Sequence, residues 1–325
     1  MTDPTAAGPV SDPRWVGDPD FARQVLEQAR LRYPALDLTA TGRMYASVND
    51  VVELHGGAGN YALKLYRRGL RQREQVAWEV DLLSHLARAG APVVPIVAGL
   101  AGPLEELEVN DQGRLVVMSH WAPGVKPVAS EQTYLRLGQA AGLIHRAADD
   151  FGSPATRVRD LTTEVDQELE YLRPVLEDSG RWALVEELAG RLHHRLGAGD
   201  LRRCLCHNDL TLDNVHITES GLWVFDFDSA SEHWWGFEPQ GVYHFGVITG
   251  RPWWQCWKAG YERVRPVPTA DEAALPWFVL LFQLENLAWK LGLTPGSVGR
   301  QTEVDEVPAI VDAWGHWAAQ RCVDG

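Results

Sequence analysis

A period near 3.6 marks the first element. Phe21, Val25, Leu26 and Ala29 share one face of a helix over 20–32, capped by Asp18 or Asp20 and ended by Pro34. The period then drops to two. Residues 43–54 and 61–66 read as strands, with HGGAGN at 55–60 joining them as a hairpin. A helix over 71–89 follows, with Val76, Val80, Leu83 and Leu86 on its apolar face, and Gly90-Ala91-Pro92 stops it. Residues 92–100 begin another strand pair, the acidic run 105–112 reads as a turn, and RLVVMSH at 114–120 reads as a buried strand. From there the pattern is mainly helical, over 131–149, 161–176 and 181–196. A later helix, capped by Thr269 or Asp271, runs through Trp289, and a last one covers 304–321.

The densest chemistry lies between the helix over 181–196 and the one that runs through Trp289, at 206–230, CHNDLTLDNVHITESGLWVFDFDSA. Asp209 and Asn214 stand at the two ends of one short loop, so both can face one cavity. The turn Glu219-Ser220-Gly221 folds the chain back and delivers Asp226 to the same place. Phosphoryl transfer from a nucleotide requires such groups. One Asp takes or orients the acceptor hydroxyl proton, while an Asn and a second Asp hold a divalent metal against the phosphates. His207 reads as a prop for the loop.

The ordered pair H-x-D-x-x-x-x-N and D-x-D, with a hairpin between, resembles the kinase fold in its aminoglycoside phosphotransferase and choline kinase branch. Asp228 stands where protein kinases have the Gly of D-F-G. The resemblance implies an α+β, two-lobed protein-kinase-like fold. A flexible tail (1–19) precedes a small β-rich nucleotide-binding lobe (20–120) and a larger helical lobe (121–325) for catalysis and acceptor binding. It implies ATP and Mg2+ as cofactors, with Asp209 catalytic and Asn214 and Asp226 as metal ligands. Asp228 would hold a second metal or a metal-bound water. Lys64 matches the lysine that contacts the α- and β-phosphates, and Glu79 matches its helix partner, with Glu74 as the alternative. A glycine-rich loop is absent. In its place stand Ser47-Val48-Asn49-Asp50, where Ser47, Asn49 and backbone amides would cap phosphates. Backbone groups from Met118 to Trp121 would meet the adenine edge, ahead of a hinge-like W-A-P-G.

Composition narrows the reading. A formal net charge of −14 argues against nucleic acid as partner and is compatible with a cationic acceptor. Glu232, Glu238 and several of the fourteen Trp follow Asp226 closely, a mixture that suits an ammonium group, although most of these rings read as helix packing. Cys204 and Cys206 point to one face of a strand. With His207 they form a C-x-C-H pattern that lacks the second ligand pair of a metal site. His145 reads as a core histidine. Few cysteines, no signal-peptide pattern and no apolar run near membrane length fit a reducing cytoplasm.

Three functions follow. The first is a small-molecule kinase acting on an amino alcohol, amino sugar or similar hydroxyl. The second is a Ser/Thr protein kinase of the bacterial stress response type, whose S-x-x-N and K-x-Y-R pattern is similar to the segments at 47–49 and 64–67. The third is a non-catalytic nucleotide-binding protein.

Overall fold

The computed structural model describes residues 18–46, 48–295, 297 and 299–322. Ser47 and the tail residues 1–17 lie outside them. The chain divides into two units. One takes the residues up to Val80, Pro95–Trp121, and Pro295 with Ser297. The other takes Asp81–Val94, Ala122–Thr294 and the residues from Gly299 on.

The first unit opens with α1 (Pro19–Arg32). Asp18 caps it, accepting the amides of Asp20 and Phe21, and Pro19 supplies a preset first turn. Phe21, Val25 and Ala29 recur at i, i+4 and i+8 and are buried. They lie against the apolar face of an antiparallel sheet built from β1 (Leu38–Ala46), β2 (Asp50–Gly56) and β3 (Gly59–Leu65), with helix α2 (Arg73–Arg88) following in the chain. The sheet continues through β4 (Ile96–Val97), β5 (Leu104–Val109) and β6 (Gln112–His120), in the order β1-β2-β3-β6-β4, with β5 also on β6. Val52, Leu54, Leu63, Leu65 and Met118 fill the core at essentially no exposure, each contributing roughly 1.5–3 kcal/mol.

Three expectations change here. The run 43–54 is not one strand. Ala46 pairs with Asp50, so the run is two antiparallel strands, one ending at Ala46 and the next starting at Asp50. The acidic run 105–112 is largely strand. Glu105, Leu107 and Val109 point inward while Glu106 and Glu108 point out, an alternation that the acidic composition obscured. Its turn is confined to Asn110-Asp111, both at positive φ (53° and 58°), the conformation that a two-residue hairpin loop requires. On α2, Leu82 is buried and Leu83 only partly so.

The second unit is mainly helical. It contains α3 (Glu131–Ala148), one π turn at Thr162–Asp166, α4 (Gln167–Asp178) and α5 (Trp182–Leu196). Two small antiparallel ribbons follow: β7 (Arg203–Cys206) pairs with β10 (Ser231–Trp234), and β8 (Val215–Ile217) pairs with β9 (Leu222–Val224). The chain ends in α6 (Gln240–Thr249), α7 (Trp253–Tyr261), α8 (Thr269–Ala273), α9 (Leu275–Lys290) and α10 (Val307–Arg321). The expected helix from Thr269 through Trp289 is therefore two helices. Ala274 separates them, and Pro276 sits in the first turn of α9, where its missing N–H costs nothing. Phe278, Leu281 and Leu284 of α9 pack with Leu172, Leu192, Val311 and Trp314.

α3 and α7 meet through glycine. A Cβ on Gly138 would lie 1.9 Å from the Trp257 carbonyl oxygen, and one on Gly260 would lie 1.9 Å from that of Leu135. The two backbones touch, so no side chain fits between them. Among the described residues no helix is long and apolar enough to cross a membrane.

Candidate active site

In the second unit, β7 ends at Cys206, residues 207–211 are irregular, and Leu212–Asn214 form one turn of 3-10 helix. Asn208 adopts φ 64°, a left-handed conformation that Asn tolerates better than most residues. Its amide side chain donates to the Ser229 carbonyl (2.9 Å) and the Ser231 hydroxyl (2.7 Å) on the approach to β10. The imidazole of the buried His207 bridges the loop. Nε2 lies 3.0 Å from the Phe225 carbonyl, and Nδ1 accepts the Asp209 amide at 3.3 Å. His207 therefore props the loop and does not face a reactant.

Asp209 is thus aimed by its neighbours. Asn214 Nδ2 donates to its Oδ2 at 2.7 Å and to its carbonyl at 2.9 Å. That orientation turns Asn214 Oδ1, the atom a cation needs, the other way. The Phe225 amide donates to the Asn214 carbonyl (3.1 Å), which sets Asp226 beside this pair. Asp226 itself sits at φ 62° and ψ 68°, strained for a residue with a Cβ and typical of functional loops. Asp228 lies in the following single turn of 3-10 helix, and Arg157 donates to its carbonyl and to that of Ala230. The structure so brings together Asp209, Asn214 and Asp226, with Asp228 two residues on.

Burial holds the Asp209 carboxyl above the usual range. His207 and the Asn214 bond oppose that shift, while the negative charges of Asp226 and Glu238 add to it. Glu238 is fully buried, and its Oε2 accepts the amides of His207 (2.7 Å) and Asn208 (3.2 Å). Burial pushes this carboxyl up, yet the His145 ring and the amide bonds outweigh it and keep it low.

A cavity of about 400 Å3 within this unit opens on Asp209. Tyr134, Gln240, Phe245 and Phe282 line it, along with Asn208 and Glu238. Glu238 Oε1 and Gln240 Oε1 are buried without a hydrogen-bond partner. These lining groups were not singled out from the sequence, apart from Glu238. They come from helices remote in the chain, so no local spacing marks them. The tryptophans near Asp226 do not line the cavity. Trp234, Trp235, Trp254 and Trp257 are buried; Trp254 and Tyr261 stack on Trp257, and Trp235 meets Trp257 and Tyr261 edge-on. Glu232 faces Arg203 at 3.6 Å.

In the first unit, Lys64 Nζ lies 3.3 Å from Glu79 Oε1. Tyr66 donates its hydroxyl to the same oxygen at 2.7 Å, and its ring centroid lies 4.7 Å from Nζ. Glu79, not Glu74, is thus the partner of Lys64. Asn49 is buried and its Oδ1 accepts the Arg67 amide at 3.0 Å. Met118 is fully buried in the sheet, between Leu63 and Val97. The amides of His120 and Trp121 already donate to Pro95 (3.0 Å) and Asn60 (2.8 Å). The Trp121 ring stacks on Tyr45 at 6.5 Å, with Arg43 over its face.

Residues 46–269 match the family model described as a phosphotransferase enzyme family. The chain belongs to that phosphotransferase family. An uncharacterized protein of Deinococcus radiodurans is 32% identical over 85% of this phosphotransferase and 81% of its own length. A homoserine kinase of Methylobacterium radiotolerans is 29% identical over 75% and 78%. Among solved structures, the phosphotransferase is similar to amicoumacin kinase in complex with AMP-PNP, Ca2+ and Ami. That likeness has TM-score 0.72, 20% identity, and 92% and 93% of the two chains covered. It is also similar to a microcompartment-associated aminopropanol kinase, with TM-score 0.69, 23% identity, and 92% and 94% covered. These likenesses confirm the kinase-like fold expected from the motifs.

Proposed function

We propose that this phosphotransferase moves the γ-phosphoryl group of ATP to the hydroxyl of a small amine-bearing alcohol. The observation that carries the reading is Asp209, raised in basicity, bonded to Asn214 and open to a cavity of about 400 Å3. That volume suits a small molecule better than a protein segment. The homoserine kinase relatives and the aminopropanol kinase neighbour are named for acceptors that carry both an amine and a hydroxyl. The unpartnered oxygens of Glu238 and Gln240 supply the acceptors that an ammonium group needs.

Asp209 accepts or orients the hydroxyl proton, and burial keeps its basicity up for that task. Asn214 Oδ1 and the Asp226 carboxylate are hard oxygen donors, the kind that Mg2+ takes, and Asp228 adds a further carboxylate for a second ion or a metal-bound water. When bound, the metal neutralises phosphate charge. Lys64, held by Glu79 and Tyr66, supplies positive charge for phosphate oxygens in its own unit. Asn49 contributes through Nδ2, since its oxygen is engaged, and the base edge meets backbone groups of 118–121 other than the two amides already donated.

A coupled ADP-release assay with ATP and Mg2+ tests this against amino alcohols, amino sugars and homoserine-like compounds, with Asp209→Ala as blank. Release above blank with one class supports the reading and names the acceptor. Silence across the panel, with labelled phosphate appearing on the protein itself, would overturn it in favour of protein phosphorylation.

A further inference from the structure

His145, Cys204 and Cys206 are remote in the chain and adjacent in the fold. β7 alternates, so both thiols leave it on one face, with their sulfurs 3.4 Å apart. α3 brings His145 to the same spot, and one donor atom from each of the three residues lies within 4.8 Å of the others. The imidazole is buried, at 1% exposure. Its Nδ1 sits 3.0 Å from the Tyr261 hydroxyl, and its Nε2 has no hydrogen-bond partner. The nearest charge to Nε2 is Glu238 Oε2 at 3.7 Å, an oxygen already taken by the amides of His207 and Asn208.

We propose that His145, Cys204 and Cys206 form a zinc site separate from the Asn214–Asp226 pair. Two thiolates and one imidazole are a donor set that Zn2+ takes at about 2.0–2.3 Å. The hard oxygens around Asp226 favour Mg2+ instead, so the two sets sort different ions by softness. A disulfide suits the pair less well. Residues two apart on a strand have Cα atoms about 6.6 Å apart, near the upper limit for that bond. The Cys206 bond holds the Cys204 thiol below its ordinary range against burial, with His145 assisting. Cys206, pushed up by burial, gives up its proton as the ion binds. Cys204 is partly buried and Cys206 buried. The bound ion joins α3 to the end of β7, one residue ahead of His207. It takes the place of the proton on Nε2 and leaves a fourth position for water.

The test uses the full chain, reduced and stripped with a chelator, without nucleotide. Zn2+ is titrated against a chromophoric zinc indicator, and Co2+ serves as a spectroscopic substitute. The expected result is one tight equivalent of zinc and a sulfur-to-cobalt charge-transfer band in the near ultraviolet. Cys204→Ser should remove that band and weaken zinc binding by about a hundredfold or more. Cys256→Ser, outside the cluster on α7, should leave both unchanged. If the serine variant misfolds by circular dichroism, the cobalt spectrum of the native chain decides. Absence of the band with four reduced thiols, or zinc binding that survives Cys204→Ser in a folded protein, overturns the site.

Discussion

Lys64 and Asp209 are each the charged centre of their own unit, yet they are held by opposite means. Lys64 lies mid-strand on β3, paired with Val51 on one side and Val117 on the other. Its partner Glu79 lies mid-helix on α2, and the geometry follows from packing of regular elements. Asp209 lies on an irregular loop next to a left-handed Asn208, held by bonds from Asn214, His207 and, through the backbone, Glu238. Regular elements fix a side chain by many weak contacts, a loop by a few polar ones. Substitutions around Lys64 should therefore trade stability against activity, whereas those around Asp209 should separate the two.

The largest effect tests that separation directly. Asp209→Ala should lower kcat by about a hundredfold to ten-thousandfold. Thermal melting should show a midpoint unchanged or raised, because a carboxyl whose ionised form the fold disfavours has been removed. A large drop in the midpoint would break the comparison. Next comes Lys64→Met, which takes the ammonium group away from the buried Glu79 while the Tyr66 hydroxyl stays. It should cut activity and also cost roughly 1–3 kcal/mol in urea denaturation, with Glu79→Gln added on top restoring part of the stability.

A smaller effect sharpens the loop side. Glu238→Gln keeps size but weakens the grip on two amides. It should lower kcat by roughly 10–100-fold, by analogy with residues that orient a functional group. As a positioning change it should also leave the denaturation midpoint near that of the native chain. The smallest effect concerns pH. Burial, with the charges of Glu285 and Glu164, pushes the Glu168 carboxyl on α4 up to about 8. Its folded pKa exceeds its unfolded one, so the folded state binds the extra proton between about 4.5 and 8. Its contribution is present below that window and lost as pH rises through it. Glu168→Gln should gain stability over the native chain on going from about pH 5 to about pH 8, on the order of 1 kcal/mol or more. An equal difference at both pH values would count against the assignment.

The loop was far more legible in the sequence than the cavity it serves. Asp209, Asn214 and Asp226 fall within eighteen residues, and their order reports a hairpin that local turn chemistry enforces. Lys64 and Glu79 were readable because a lysine on a core-facing strand needs a partner, and a helix follows at once. Tyr134, Gln240, Phe245 and Phe282 were not, since only tertiary packing brings their helices together. The same holds for His145 beside Cys204 and Cys206. In the first unit, the break between the strands that end at Ala46 and start at Asp50, and the strand at Leu104–Val109, were lost to composition, which outweighed pairing until partners were known.

The glycine contact between α3 and α7 has a consequence for how the molecule opens. Because Gly138 and Gly260 leave no side chain between the two backbones, the joint has no half-open state that keeps partial packing. Over a hundred residues separate the two helices, so closing it is a late, single event in folding. Amides near Gly138 and Gly260 should thus exchange with deuterium together, at one rate, as a single cooperative unit.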